Sequence, residues 1–241
     1  MAQRNRLLLK VSGEAFGSSD GRGAIGEEAV DRIAREIVVG VRKADSQVAL
    51  VVGGGNFLRG RDAASGHRDR LTADHMGMLA TVLNGLALRS ALEHNGVEAR
   101  VLSAVRIDPM GEYFVPRHAI QHLEAGRILV LVGGTGLPYF STDSTAALRA
   151  LEINSTRLLK GTGVRGIFSA DPRKDPNASF FDELTFDEFL RRDLKVIDAT
   201  AASLCRDHDL PIEVFDMTQE GNITRAICGE RLGTLLSKGT G

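Results

Sequence analysis

The sequence has little of what would mark a secreted, membrane-bound or metal-stapled protein. It carries two cysteines in 241 residues, Cys205 and Cys228, neither in a C-x-x-C pair nor near a histidine at ligand spacing. That pattern excludes a disulfide scaffold and a zinc ribbon, and predicts both thiols as small core residues in a reducing cytoplasm. No apolar run approaches the ~18 residues of a membrane span. The basic stretch from Met1 to Arg6 runs straight into a short strand, without the apolar region or cleavage site of a signal peptide. A formal net charge of −1 gives no single-signed field, so neither nucleic acid nor an anionic membrane is an expected partner. His118 and His122 sit four apart on one helix, but no Cys, Asp or Glu nearby completes a metal set, and the pair reads as a solvated face.

Several signatures of nucleotide enzymes are missing as well. No stretch fits G-x-x-x-x-G-K-[ST], which excludes a P-loop. No G-x-G-x-x-G follows the first strand with an acidic residue ~20 positions on, which argues against a dinucleotide fold. Neither H-R-D nor D-F-G occurs, so the chain is not of the protein-kinase type.

What is present is ordinary globular composition, 43% hydrophobic and 25% charged, long enough for one large domain or two small lobes. Apolar strands at 6–11, 47–52, 99–102 and 128–132 alternate with helices at about 27–43, a long helix opened by Asp74, one at 116–125 and one from Asp143 to Ile153. Met76, Leu79, Leu83, Leu86 and Ala87 mark the apolar stripe of the long helix, and Asn95-Gly96 stops it. The carboxyl part is looser. It has short strands at 158–160 and 166–168, a capping box at Thr185-Phe186-Asp187-Glu188, helices at 199–207 and 222–228, and strands at 211–215 and 234–236. The pattern is α/β, a three-layer αβα sandwich around a mainly parallel sheet. A lobe boundary near 155–160 is expected, dividing about 1–155 from about 156–241.

Three of these strands end in glycine: Val11 before Ser12-Gly13, Val52 before Gly53-Gly54-Gly55, and Val132 before Gly133-Gly134-Thr135-Gly136. Consecutive glycines let backbone N–H groups approach a ligand closely, and three such loops predict one shared site at the sheet's carboxyl edge. Beside them stand Lys10, costly to bury unpaired in an apolar strand and so either reaching an anion or snorkelling to solvent. Arg59 and Arg61 are either a phosphate clamp or ordinary surface. Asp74 is a site residue or a dipole partner, Ser141 or Thr142 an N-cap or part of an anion seat with Asp143, and Asp198 a site residue or a cap. Lys160-Gly161-Thr162 and Phe168 to Asp171 form a candidate base and ribose platform. Cations, carboxylates and glycine loops without a nucleophile–base pair fit phosphoryl transfer, which needs positioning and charge neutralisation more than covalent chemistry.

These motifs, in order along nearly the whole chain, resemble the bacterial uridylate (UMP) kinases of the amino-acid kinase superfamily. They are Lys10-Val11-Ser12-Gly13-Glu14-Ala15, Gly53 to Gly60, Ala73-Asp74-His75-Met76-Gly77-Met78-Leu79-Ala80-Thr81, Gly134-Thr135-Gly136, Thr142-Asp143, Ala170-Asp171-Pro172 and Ser203 to Asp207. The resemblance implies transfer of the ATP γ-phosphoryl to UMP, with Mg²⁺ carried mainly by the ATP phosphates, in pyrimidine nucleotide synthesis. It implies UMP at Gly54, Asp74 and the segment Thr135, Gly136, Leu137, Pro138, Tyr139, Phe140, Ser141 and Thr142. It implies ATP at Lys10, Val11, Ser12, Gly13, Gly55, Arg59, Thr162, Phe168 and Asp171. Lys10 would stabilise the transition state, and Asp143 and Asp198 would orient the cations or Mg²⁺. A cytoplasmic homohexamer activated by GTP and inhibited by UTP is implied too, with Arg100 and Arg127 at the GTP site.

Three positions depart from the family pattern. Leu137 replaces an Asn, and Gly163 and Arg165 replace a Lys and an Asp. A nucleotide-binding regulatory or storage protein on the same fold is therefore the second reading, and a kinase of carboxylates or carbamate a third. Between the two nucleotides Gly54 would face the acceptor phosphate and Gly55 the donor, so a methyl on Gly54 is expected to block both phosphates' approach.

Overall fold

The computed structural model describes residues 5–18, 24–58 and 69–239. Its centre is β1 (Arg6–Val11), flanked by β2 (Gln47–Val52) and β6 (Arg157–Thr162), all parallel. Beyond β2 lie β5 (Ile128–Val132), β3 (Ala99–Ser103) and the two-residue β4 (Glu112–Tyr113). Beyond β6 lie β10 (Ile212–Asp216), β11 (Thr234–Ser237) and β9 (Glu183–Thr185), giving, among the described residues, a nine-stranded sheet whose only antiparallel pairing is β10 with β11. β7 (Ile167–Phe168) and β8 (Phe180–Phe181) form a separate antiparallel ribbon.

The sheet's side-chain alternation divides the core into two layers. Leu7, Leu9 and Val11 point to one face, where α1 (Glu27–Ala44), α2 (Arg70–His94) and α7 (Asn222–Ile227) cover them with Val30, Ile33, Ile37, Leu88 and Ile223. Leu8 points to the other face, covered by α3 (Pro116–Glu124), α4 (Thr142–Glu152), α5 (Phe186–Arg191) and α6 (Ala199–Asp207) through Leu123, Ala147, Phe186 and Ala202. Burial on both faces is why β5 reads as an unbroken apolar run rather than an alternating one. The expected three-layer α/β architecture is the one found, and Thr185 caps α5 by accepting from the Glu188 N–H. β4, β8, β9 and a 3₁₀ turn at Gly13–Phe16 were not foreseen, because two to four residues carry no readable period.

Three expectations are corrected. The N-cap of α2 is Asp69, whose side chain accepts from the Thr72 N–H, so Asp74 lies one turn inside the helix rather than opening it. The apolar stripe expected along α2 is split: Leu79 is 57% and Leu83 49% exposed, while Leu86 and Ala87 pack against the core. Beside Met78, Val82, Leu88 and Leu92, the helix turns inward small and polar residues, Ala73, Ala80, Thr81, Asn84 and Gly85. The physical reason is close approach, since a Cβ on Gly85 would stand 2.3 Å from Val132 Cγ1 of β5. Finally, Cys205 is buried as expected, but Cys228 is exposed. Burial pushes the Cys205 thiol up to about 12, which leaves it an inert packing group.

Candidate active site

The carboxyl ends of β1, β2, β5 and β6 meet at one edge of the sheet, as parallel register requires. In the register of β1 and β6, Lys10 lies opposite Lys160. Both ammonium groups converge on Asp143, the second residue of α4. Asp143 Oδ1 lies 3.4 Å from Lys10 Nζ, and Oδ2 accepts a short hydrogen bond from Lys160, which also donates to the Val196 carbonyl at 2.6 Å. Burial alone would raise the Asp143 carboxyl, but Lys10 and Lys160 outweigh it and hold the group below its ordinary value. Burial also pulls Lys160 down to about 8, against the opposing attraction of Asp143. Two ammonium groups share this carboxylate in a site shielded from water, where each charge acts most strongly on a phosphoryl group.

Lys10 therefore reaches an anion rather than snorkelling. Lys160, which the sequence assigns to a base and ribose platform, carries the same signal as Lys10, a lysine in an apolar strand. Asp198 touches neither lysine directly: Oδ1 accepts from the Ala201 N–H (2.8 Å) and the Ser144 hydroxyl (2.9 Å), and Oδ2 from the Ser141 hydroxyl. It caps α6 and at the same time ties down the start of α4, and its negative charge favours the protonated form of Lys160. Ser141 is the N-cap of α4, and its oxygen accepts from the N–H groups of Asp143 (3.0 Å) and Ser144 (3.1 Å). Those two N–H groups are thus spent, and the anion seat expected at this helix end is reduced to Thr142.

Next to this cluster opens a cavity of about 480 Å³. Gly54, Gly55 and Asp74 line one side; Thr135, Leu137, Tyr139, Phe140, Ser141 and Thr142 line the other. Gly136 and Pro138 belong to the same loop without lining the space. Asp74 bridges the two sides, accepting from Arg70 Nε at 2.8 Å and from the Tyr139 N–H at 2.7 Å. Tyr139 has φ of +70°, and its side chain, 69% exposed, lies under the Arg70 guanidinium at 5.6 Å. The Thr135 hydroxyl bonds both the N–H and the carbonyl of Leu137 at 3.1 Å, closing the loop on itself.

Of the described donor-side residues, Gly55 lines that cavity and the others lie outside it. Val11, Ser12 and Gly13 end β1, and Thr162 ends β6 with its hydroxyl donating to the Val164 carbonyl at 2.7 Å. Phe168 sits on the β7–β8 ribbon against Phe180, ring centroids 5.2 Å apart. Asp171 accepts from the Arg173 N–H at 3.1 Å, which with the neighbouring basic side chains holds its carboxyl below the ordinary value. Arg59 and Arg61 lie outside the described residues. Arg100 and Arg127 are at the amino edge of the sheet, away from this site, and both pair with Glu98. Of the departures, Arg165 stacks on Phe180 at 4.2 Å, and a Cβ on Gly163 would meet only Thr218 Cγ2 at 3.9 Å.

The glycines have separate reasons. A Cβ on Gly13 would stand 2.3 Å from the Gly55 nitrogen, and one on Gly53 would stand 2.7 Å from the Gly13 nitrogen, so those two loops exclude side chains from each other. A Cβ on Gly54 would strike Ala80 Cβ at 2.8 Å and the Gly77 carbonyl at 2.9 Å. The expected obstruction of phosphates is therefore corrected: a methyl there collides with α2 and not with the ligand space. Gly55 has room, its nearest atom being Glu14 Cγ at 3.7 Å.

The sequence profile of the amino acid kinase family matches residues 5–216. The chain is 49% identical over 235 residues to a uridylate kinase of Arthrobacter sp., covering 97% of this chain and 94% of that one. Among solved structures it resembles a UMP kinase from Bacillus anthracis (TM-score 0.92, 34% identity, 98% of this chain and 97% of that one). It also resembles a UMP kinase from Ureaplasma parvum (TM-score 0.91, 37% identity, 98% and 100%).

Proposed function

The chain belongs to the amino acid kinase family, and within it we propose that this protein is a UMP kinase, transferring the γ-phosphoryl of ATP to UMP to give UDP and ADP. The observation that carries the reading is the Lys10–Asp143–Lys160 cluster beside a cavity sized for a mononucleotide, whose lining reaches Thr142, the residue before Asp143. The kinship with uridylate kinases names the acceptor. UMP would occupy the cavity between Gly54 and the 135–142 loop, with Asp74 exchanging its Tyr139 N–H for a ribose hydroxyl. ATP would enter over Val11 to Gly13, Gly55, Thr162, Phe168 and Asp171; Arg59, outside the described residues, is a further candidate contact. In this reading a lobe of about 156–241 supplies Thr162, Phe168 and Asp171 to ATP, while a lobe of about 1–155 holds UMP and lends its strand-end glycine loops to the ATP phosphates.

In this reading Lys10 and Lys160 stand on either side of the moving phosphoryl and neutralise the charge that spreads over its oxygens. Asp143 keeps both ammonium groups apart and aimed. Asp198 fixes the start of α4, and with it Asp143. A divalent cation, Mg²⁺, supplies further neutralisation when it arrives on the ATP phosphates. The protein carboxylates nearby are already engaged by lysine, serine and backbone donors, so they fit a metal carried by the nucleotide better than one held in a protein cage. The reading extends to a cytoplasmic enzyme of pyrimidine nucleotide synthesis, a homohexamer activated by GTP at Arg100 and Arg127 and inhibited by UTP.

A regulatory or storage protein would need the cavity but not a buried and a part-buried lysine on one aspartate, an arrangement that costs desolvation without serving binding alone. ADP release measured with UMP, CMP, dCMP and acetylglutamate separates the readings. Turnover is expected with UMP alone; tight ATP binding without turnover on any acceptor would defeat the enzyme assignment.

A further inference from the structure

α2 turns two buried polar side chains toward the sheet, Thr81 and Asn84, three residues apart and so on one face. Each holds a different glycine loop. Asn84, fully buried, donates through Nδ2 to the Gly53 carbonyl at 2.7 Å and to Asn56 Oδ1 at 2.8 Å. Asn56 returns the bond to Asn84 Oδ1 at 2.9 Å and donates to the Ala24 carbonyl at 2.5 Å, so the two amides form a reciprocal pair. Thr81 donates its hydroxyl proton to the Met78 carbonyl at 2.6 Å and accepts from the Gly133 N–H at 2.8 Å. The polar atoms of this buried stripe are matched, which a core sequence would not maintain merely for packing.

Peptide geometry gives the fastening a consequence. The bond between Gly53 and Gly54 is trans, and in a trans peptide the carbonyl and the following N–H point in opposite directions. The Gly53 N–H is already bonded to the Val11 carbonyl at 3.0 Å. With the Gly53 carbonyl drawn to Asn84, the Gly54 N–H must face away from it, and this N–H has no hydrogen-bond partner among the described residues. Gly54, Thr81 and Gly134 all line the acceptor cavity.

We propose that Asn84 and Thr81 are positioning residues of the acceptor site: by fastening Gly53 and Gly133 to one face of α2, they set the spacing of the two glycine loops and aim the Gly54 N–H at the acceptor's phosphate. Neither residue touches the reacting atoms. The inference rests on the UMP kinase reading, because it assigns a substrate to that N–H.

The test is steady-state kinetics, with thermal midpoints measured in parallel, on Asn84→Asp, Asn84→Leu, Thr81→Val and Thr81→Ser. Asn84→Asp keeps the size and loses the donor to Gly53. Thr81→Ser keeps the hydroxyl that Thr81→Val removes. Asn84→Asp and Thr81→Val should raise the KM for UMP more than that for ATP and lower kcat. The combined fall in kcat/KM should be about a hundredfold, as expected when a reacting group is displaced by ~1 Å. Thr81→Ser should recover most of the loss. Should Asn84→Leu fail to fold, the Asp and the Val/Ser variants still decide. A lowered midpoint with kinetic constants unchanged per folded molecule overturns the positioning role and leaves the function standing. A wild-type protein that does not turn over UMP overturns both.

Discussion

At the scale of single residues the balance at Asp143 decides the chemistry. Lys10 and Lys160 look equivalent in register, yet only Lys160 donates directly to Asp143 and to a backbone carbonyl while buried deeply enough to bring its ammonium group down to about 8. The protonated form is the one that neutralises phosphoryl charge, so activity is present below that value and is lost as pH rises through it. We expect kcat/KM, which reports the free enzyme, to fall with an alkaline limb near pH 8. Bound phosphates favour the charged lysine, so the limb in kcat should lie at higher pH. Lys160→Arg, whose charge does not titrate in this range, should lack the limb in whatever activity remains. A pH–rate profile unchanged by that substitution would remove Lys160 from the chemistry. The stability effect has the opposite sign. Between about 8 and the ordinary 10.5 the unfolded chain binds the proton and the folded one does not. The penalty of burying this cation is therefore full below pH 8 and relieved as pH rises through that window.

At the scale of elements, α2 and the triple-glycine loop are fitted to each other more tightly than either is fitted to a ligand. Gly54→Ala puts a methyl 2.8 Å from Ala80 Cβ and 2.9 Å from the Gly77 carbonyl, both on a helix that cannot yield locally. Overpacking of this kind costs about 1–3 kcal/mol. Gly55→Ala meets only Glu14 Cγ at 3.7 Å, an ordinary contact. Urea unfolding should give Gly54→Ala a clearly lower midpoint and leave Gly55→Ala near wild type. Equal midpoints would mean the loop gives way rather than the helix. The same fit explains why the leucines of α2 are an incomplete guide to its inner face. Leu88 and Leu92 are buried, but where β5 and the two loops approach, the face is small and polar. There Ala80, Thr81, Asn84 and Gly85 turn in, and Leu79 and Leu83 stay outside.

At the scale of the whole molecule, the alternation of apolar strands with amphipathic helices was enough to give the layers, and strand-end glycines were enough to give the edge that carries the site. Strand order was not legible, because β1 pairs not only with its sequence neighbour β2 but also with β6, through contacts about 150 residues apart. The Asp143–Lys160 pair, only 17 residues apart, was hidden for another reason: its partners come from a helix and a strand on opposite sides of the expected lobe boundary. A site assembled from both parts of one continuous sheet should couple ligand binding to the stability of the entire chain. Each ligand at a hundred times its Kd adds about 2.7 kcal/mol, and ~1 kcal/mol moves the midpoint of a chain this size by ~2–4 °C. UMP alone and a non-hydrolysable ATP analogue alone should each raise the thermal midpoint, CMP should raise it little, and UMP with the analogue should raise it by about the sum. A sum no larger than the greater single shift would mean that both nucleotides compete for the one cavity between Gly54 and the 135–142 loop, and the donor path over Thr162, Phe168 and Asp171 would have to be abandoned.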